Sequence, residues 1–232
     1  MPINGTTTTT DRRAAIVALA VFTLTFALGG MLLGEVFGSS GDSDQTFIDH
    51  YASSRNRGGD MAGSALLILS GAALLVFVTA MRRLLASLDS LARDLFSQVG
   101  FAASMVLIVA ATLFLTTPLS ISFGGLFDDT EQFAGTHASV LPQAATFMVA
   151  FAAMPLAAFA VVLVTIAARS RQMFPRWHTV LTWVCAALLL LAVSGVAGFV
   201  LPVWSAATAV ALWRGQPPAS AAGETGASTG SS

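Results

Sequence analysis

The chain has 232 residues, of which 55% are hydrophobic and 10% are charged, and its formal net charge at pH 7 is −1. Roughly a quarter of the residues in a soluble domain are charged, so this chain has too few polar groups to cover the surface of a soluble fold. Its near-zero net charge argues against a nucleic-acid partner, which requires a basic surface. The composition therefore indicates an integral membrane protein surrounded by the lipid bilayer.

Apolar segments of membrane-spanning length predict an all-α fold, a polytopic transmembrane helical bundle. A helix needs about 20 mostly apolar residues to cross about 30 Å of hydrocarbon. The first such segment follows Arg12 and Arg13 and is too long for the apolar region of a cleaved signal peptide, so it is predicted to remain as the first span. Four segments have the required length: 14–37, 61–81, 96–118 and 140–168.

The last apolar stretch, 179–213, is predicted to fold back on itself. As a single helix it would be about 50 Å long, which is more than helix tilt can absorb. Gly195, Gly198 and Pro202 are predicted to break it into two spans, giving six spans in all. The alternative is five spans followed by a re-entrant end.

The arginines predict the orientation of the chain in the bacterial cytoplasmic membrane. With the N-terminus inside, every arginine except Arg55 and Arg57 becomes cytoplasmic, as the positive-inside rule requires, and both termini of a six-span chain are cytoplasmic. Low-complexity composition predicts that both ends are disordered. The predicted organisation is a disordered N-terminus over 1–12, a six-span domain over 13–214 with outer loops 38–60 and 119–139, and a disordered tail over 215–232.

The outer loop 38–60 contains a helical pattern of its own. A helix is expected from about residue 44, with Phe47 and Tyr51 on one face and the glycine pair 58–59 at its end. Such a helix is expected to lie on the outer surface of the membrane.

In the first span, Gly30, Gly34 and Gly38 recur at every fourth residue. This spacing puts three positions without a side chain on one helix face, where another helix can approach closely. The face is predicted to serve either packing inside the bundle or an interface with a membrane protein partner or a second copy of the chain.

Two acidic residues are candidates for a functional role near the outer face. Glu35 adjoins the glycine face, and its depth indicates either an interfacial carboxylate or a group that handles protons or cations. Asp60 lies at the predicted start of the second span, where its charge favours the helix N-terminus. Arg55 or Arg57 is expected to pair with Glu35 or Asp60.

Residues typical of catalysis and of metal sites do not occur in the required patterns. His50, His137 and His178 are too far apart for a metal-ligand motif, and the single cysteine, Cys185, is interpreted as a small buried hydrophobe. The second outer loop contains Asp128, Asp129 and Glu131, whose spacing does not match an EF-hand. Capping of a short outer helix by Asp128, Asp129 or Thr130 is the preferred interpretation. Since no nucleophile elbow, Walker loop or HExxH motif occurs either, we predict no enzymatic activity, no cofactor and no metal.

Three short stretches stand out along the chain: FIDHYASSRNR at 47–57, MPL at 154–156 and FPRW at 174–177. Together with the order of the spans over 12–214, they resemble a broad group of uncharacterised bacterial multi-pass membrane proteins. The resemblance implies a shared topology and a location in the cytoplasmic membrane, with no established activity and no catalytic residues. It singles out Tyr51, Arg55 and Arg57 on the outer face.

We expect a non-enzymatic membrane protein that binds a partner protein or a lipid as an accessory component. The glycine face of the first span and the amphipathic outer helix motivate this expectation. The alternative is a small-solute or ion transporter that uses a cleft between the spans. The predicted contact residues on the outer face are Glu35, Tyr51, Arg55, Arg57 and Asp60.

Overall fold

The computed structural model describes six parts of the chain, which are residues 5–34, 44–86, 91–123, 140–169, 173–191 and 197–214. These parts contain helices and no strand, so the predicted all-α class is confirmed. The helices in chain order are α1 (Gly5–Leu32), α2 (Asp44–Ala52), α3 (Ser54–Leu84), α4 (Leu91–Phe123), α5 (Val140–Arg169), α6 (Arg176–Leu191) and α7 (Ala197–Arg214).

Among the described residues, four helices are long and apolar enough to cross a membrane: α1, α3, α4 and α5. α6 and α7 are apolar but shorter, with 16 and 18 residues, or about 24 and 27 Å. They are separate helices that pack against each other, which confirms that the last apolar stretch folds back. Pro202 lies inside α7 rather than at the break, and Gly195 lies outside the described residues.

The six longer helices form a closed ring in which each one packs against its neighbours in the chain. α7 closes the ring by packing on α1, and two polar contacts mark the closure. Arg12 Nε donates to the carbonyl oxygen of Leu212 over 2.8 Å, and the hydroxyls of Thr23 and Ser205 lie 2.7 Å apart. Residue numbers rise along α1 as they fall along α7, so these two helices are antiparallel.

Several helix ends differ from the predicted boundaries. α1 begins at Gly5, so residues 5–12 are helical although their composition predicted disorder. This end of α1 contacts the rest of the bundle, since Asp11 lies 3.7 Å from Arg83. α3 begins at Ser54 and α4 continues to Phe123, so both helices extend into segments that were predicted to be loops.

Aromatic side chains fill the centre of the ring. The Phe77 ring meets those of Phe96 and Trp204 edge to face, with centroid distances of 6.3 Å in both cases. These three side chains are almost completely buried, and they line a residual cavity of about 20 Å³ whose walls are apolar. A space of this size holds about one water molecule, so the described interior is closely packed around these three rings.

A close contact with backbone joins α1 to α3 at Gly29. A Cβ atom added at Gly29 would lie 2.9 Å from the carbonyl oxygen of Gly63, which is closer than carbon and oxygen atoms tolerate. No described atom lies within 4 Å of a Cβ added at Gly30 or Gly34. Gly38 lies outside the described residues, so the role predicted for this glycine face, in packing or in a partner interface, stays a prediction.

Candidate functional site

Ser53 separates the outer helix α2 from α3. Its backbone is extended and its hydroxyl accepts the N–H of Asn56, which is the geometry of a helix N-cap. The glycine pair 58–59, predicted to end the outer helix, therefore lies inside α3. The helix predicted from about residue 44 is present, but it ends earlier, at Ala52.

A buried acidic group lies where α2 packs on α3. Asp60 is 2% exposed and stands six residues after the first residue of α3, so it is not a residue of the helix start. Ser53 takes that position, so the predicted place of Asp60 at the start of the helix is wrong. The Asp60 carboxylate lies 2.8 Å from Nε2 of His50 on α2.

Both edges of the His50 ring are held. The side-chain amide nitrogen of Asn56 lies 3.4 Å from His50 Nδ1 and donates to the His50 carbonyl oxygen over 3.2 Å. Because an amide NH₂ only donates, Nδ1 accepts, and the proton of the neutral ring lies on Nε2, facing Asp60. The histidine thus links the short outer helix to a carboxylate of the neighbouring long helix.

Tyr51 completes the buried side of α2. It is 2% exposed, and its ring meets that of His50 edge to face, with centroids 5.1 Å apart. Burial raises the pKa of the Tyr51 phenol, and the nearby charge of Asp60 raises it further. The phenol therefore stays neutral under physiological conditions.

The two arginines of this segment have different surroundings. Arg57 donates to the carbonyl oxygens of Tyr51 and Ala52, which α2 leaves without helical partners at its C-terminus. Arg57 therefore caps the C-terminus of α2, and the pairing of Arg55 or Arg57 with Glu35 or Asp60 stays a prediction. Arg55 is exposed.

Two further buried polar groups are hydroxyls of α3 and α4. Ser64 Oγ and Thr117 Oγ1 are fully buried and have no hydrogen-bond partner among the described atoms. Gly71 packs on Ile108 where the two antiparallel helices cross. From that crossing, Asp60 is 11 residues and Thr117 is nine residues away on the same side, so both lie about 14 to 16 Å beyond it. Thr117 therefore lies near the depth of Asp60.

We name the residues around this ion pair the outer cluster: His50, Tyr51, Asn56, Arg57 and Asp60. The sequence predicted Tyr51, Arg57 and Asp60 and missed His50 and Asn56, because nothing in the residue pattern reveals that the chain reverses at Ser53. Glu35, Gly38 and the acids 128–131 lie outside the described residues. Within the described ranges, no three His, Cys, Asp or Glu side chains come together in a way that would hold a metal ion.

A second buried polar group links α5, α6 and α7. Trp204 Nε1 donates to the Thr182 hydroxyl over 3.1 Å, and the Thr165 hydroxyl donates to the same oxygen over 3.2 Å. His178 is fully buried, and its Nε2 lies 2.9 Å from the Thr208 hydroxyl. The sequence did not predict this group, since single threonines in apolar helices carry no pattern.

Comparisons with protein-family models, curated proteins and solved structures find no match to this chain. A functional assignment therefore depends on the chemistry of the residues described above.

Proposed function

We propose that this chain is a non-enzymatic protein of the bacterial cytoplasmic membrane that binds a partner membrane protein through its outer surface, as an accessory component. The observation that carries the proposal is the 2.8 Å contact between His50 and the buried Asp60. A carboxylate within an apolar span is costly to bury. Here it holds a short surface helix in a fixed position.

The outer cluster holds α2 in a fixed position against α3, so the proposed outer surface is rigid and not a flexible loop. Tyr51 is buried, His50 is held at both nitrogens, and Arg57 caps the C-terminus of α2. Arg55 lies on the exposed side of the same segment. A rigid surface loses little conformational entropy on binding, and exposed arginines are frequent in protein interfaces.

Six spans with both termini in the cytoplasm are part of this proposal. α7 runs antiparallel to α1 from the level of Arg12, which contacts Leu212, past the level of Thr23, which contacts Ser205. It therefore accompanies most of the apolar part of α1, as a full span does and a re-entrant segment does not. The contacts of Asp11 with Arg83 and of Arg12 with α7 bring arginine-bearing helix ends together, in agreement with a cytoplasmic location for this side.

Photo-crosslinking in native membranes tests the binding. A photoreactive amino acid at Arg55 should give one product of defined mass, whereas the same group at Phe101, an exposed residue of α4, should give lipid adducts only. Combining the Arg55 probe with Asp60→Asn should weaken the product, because α2 loses its anchor. Identical products from both positions, or none from Arg55, would contradict the proposal. A product of twice the chain mass would identify a second copy as the partner.

The second candidate function is transport of a small solute or an ion. The burial of Asp60 favours it, together with the buried hydroxyls of Ser64 and Thr117 near the same side of the bundle, because intramembrane carboxylates and hydroxyls commonly mark ion pathways. Protein reconstituted alone should then show a pH-dependent flux that Asp60→Asn or Glu35→Gln alters. If the flux of the reconstituted protein equals that of empty vesicles, this candidate is excluded.

A further inference from the structure

A narrow groove runs between α5 and α6 on the arginine-rich side of the bundle. Its walls are Val162, Ile166 and Arg169 of α5 and Thr179 and Trp183 of α6, and they enclose about 40 Å³. Ile166 and Trp183 are about half exposed, at 49% and 56%. The groove is therefore open along its length to the surroundings of the bundle, which for these helices are lipid.

The floor of the groove is polar but fully satisfied. Thr165 and Thr182 meet there, and the hydroxyl of Thr182 also donates to the carbonyl oxygen of His178. The Thr165 hydroxyl has a second partner in the Val161 carbonyl oxygen. The floor therefore joins α5 to α6 and keeps the groove at a fixed width.

An arginine stands at the same end of each wall. On α5, Val162, Ile166 and Arg169 are spaced as residues that share one helix face, with Arg169 as the last residue of the helix. On α6, Arg176 and Thr179 share a face with Trp183, and Arg176 is the first residue. Residues three, four and seven apart lie above one another on a helix. Both arginines are exposed. Arg169 lines the groove, and Arg176 lies about one helical turn beyond Thr179 at the same end, the mouth of the groove.

The charge around this mouth has no acidic counterpart nearby in the sequence. The chain contains no Asp or Glu between Val140 and Arg214, although it contains four arginines there. The inner part of the groove is lined by Val162, Ile166 and the indole of Trp183, which are apolar. A ligand that fits both ends has an anionic head and an apolar tail.

We propose that the groove between α5 and α6 binds an anionic phospholipid of the arginine-rich leaflet, with its phosphate between Arg169 and Arg176. The Thr179 hydroxyl stands on the same face of α6 as Arg176 and is available to donate to a phosphate oxygen. One acyl chain lies along Val162 and Ile166. Basic pockets between transmembrane helices commonly receive anionic headgroups in this way. The lipid site is independent of the partner-binding function proposed for the outer surface.

The site is tested by adding lipid to the purified full-length chain in detergent and counting bound molecules by native mass spectrometry. Phosphatidylglycerol should bind more tightly than phosphatidylcholine. Each arginine near an anionic lipid surface contributes about fivefold to affinity, so replacing both by glutamine (Arg169→Gln, Arg176→Gln) should weaken phosphatidylglycerol binding by about 25-fold. Binding of phosphatidylcholine, whose choline offsets the phosphate charge, should weaken less.

Arg214→Gln is the matched control. Arg214 ends α7 and is exposed, and it is not part of the groove, so this change removes one charge from the same side of the bundle without touching the site. It should weaken phosphatidylglycerol binding by less than twofold. Equal losses in the control and in either single groove variant would overturn the proposal, because they would indicate attraction by total charge alone.

A second measurement locates the lipid without altering its charge contacts. Phosphatidylglycerol with brominated chains should quench the fluorescence of Trp183, measured as the difference between the unmodified chain and Trp183→Phe. Quenching that does not depend on Trp183 would overturn the assignment to this groove. If inorganic phosphate alone displaces the lipid, the ligand is a free anion and the lipid assignment fails.

Discussion

Thr182 and Trp204 form the central polar contact among the last three helices. The indole nitrogen of Trp204 donates to the Thr182 hydroxyl over 3.1 Å, and both residues are at most 3% exposed. The same hydroxyl accepts from Thr165 and donates to the His178 carbonyl oxygen. One small side chain on α6 thereby holds α5 and α7 in register.

Thr182→Val is expected to destabilise the bundle, because it removes the acceptor and keeps nearly the same volume. The indole N–H of Trp204 would be left buried without a partner, while Thr165 would keep its bond to the Val161 carbonyl oxygen. Such an unsatisfied donor costs about 1 to 3 kcal/mol. Thermal unfolding in mild detergent measures the loss as a lower midpoint temperature.

Thr112→Val is the control for that experiment. Thr112 is exposed on α4, and its hydroxyl donates only to the carbonyl oxygen of Ile108. The same chemical change should leave the unfolding midpoint nearly constant there. Equal midpoints for Thr182→Val and Thr112→Val would show that the contact between Thr182 and Trp204 contributes little.

Gly29→Ala should separate α1 from α3. The new Cβ would lie 2.9 Å from the Gly63 carbonyl oxygen, and backbone cannot move away as easily as the end of a side chain can. Overpacking of this kind costs about 1 to 3 kcal/mol. Gly30→Ala is the paired control, since no described atom lies within 4 Å of its added Cβ. If both variants unfold at the same temperature, the close contact of Gly29 does not limit the packing of α1.

The glycines of α1 show what a residue pattern can predict. Spacing at every fourth residue predicted a glycine face for helix contact, but the angle at which α1 meets α3 determines which glycine is buried between them. Gly29 faces Gly63 and Gly30 does not, although the two are adjacent. The angle at which two helices cross depends on all the side chains between them. It therefore cannot be predicted from the spacing of glycines within one helix.

The outer cluster shows a similar limit. The sequence predicted an outer helix near residue 44 and singled out Tyr51, Arg57 and Asp60, because aromatic and charged residues are unusual beside apolar spans. It did not predict the pairing of His50 with Asp60, which are ten residues apart. That pairing requires the chain to reverse at Ser53 so that α2 lies against α3, and local patterns do not fix such a reversal.

His50 and Asp60 should be energetically coupled. Asp60→Asn and His50→Ala should each lower stability, and the double variant should lose less than the sum of the two, since each change removes the same contact. Pairs in direct contact couple by roughly 0.5 to 3 kcal/mol, and the burial of Asp60 favours the upper part of that range. A double-mutant cycle on unfolding free energies measures the coupling.

The pair Arg93 and Asp94 is the reference for that cycle. Its nitrogen and oxygen atoms are also 2.8 Å apart, but the Asp94 side chain is 49% exposed. Solvent screens such a pair, so its coupling should be below about 1 kcal/mol. A coupling between His50 and Asp60 no larger than this would mean that α2 is anchored mainly by its other contacts, such as those of Tyr51 and Arg57.

Tyr51 offers a direct optical test of the outer cluster, because it is the single tyrosine of the chain. Burial and, to a lesser extent, Asp60 raise the pKa of its phenol, so the folded protein should form tyrosinate only above the ordinary pKa of about 10. The neutral phenol stabilises the fold fully below about pH 10, and this contribution is lost as the pH rises toward the folded-state pKa.

Ultraviolet titration of tyrosinate in the folded protein checks this expectation. The midpoint should lie above that of the unfolded chain, and Asp60→Asn should lower it part of the way, because burial remains when the charge is removed. Tyr51→Phe should reduce the loss of stability above pH 10. The chain contains no lysine that would titrate in the same range. A folded-state midpoint equal to that of the unfolded chain would mean that solvent reaches the phenol and that α2 does not rest on α3 in solution.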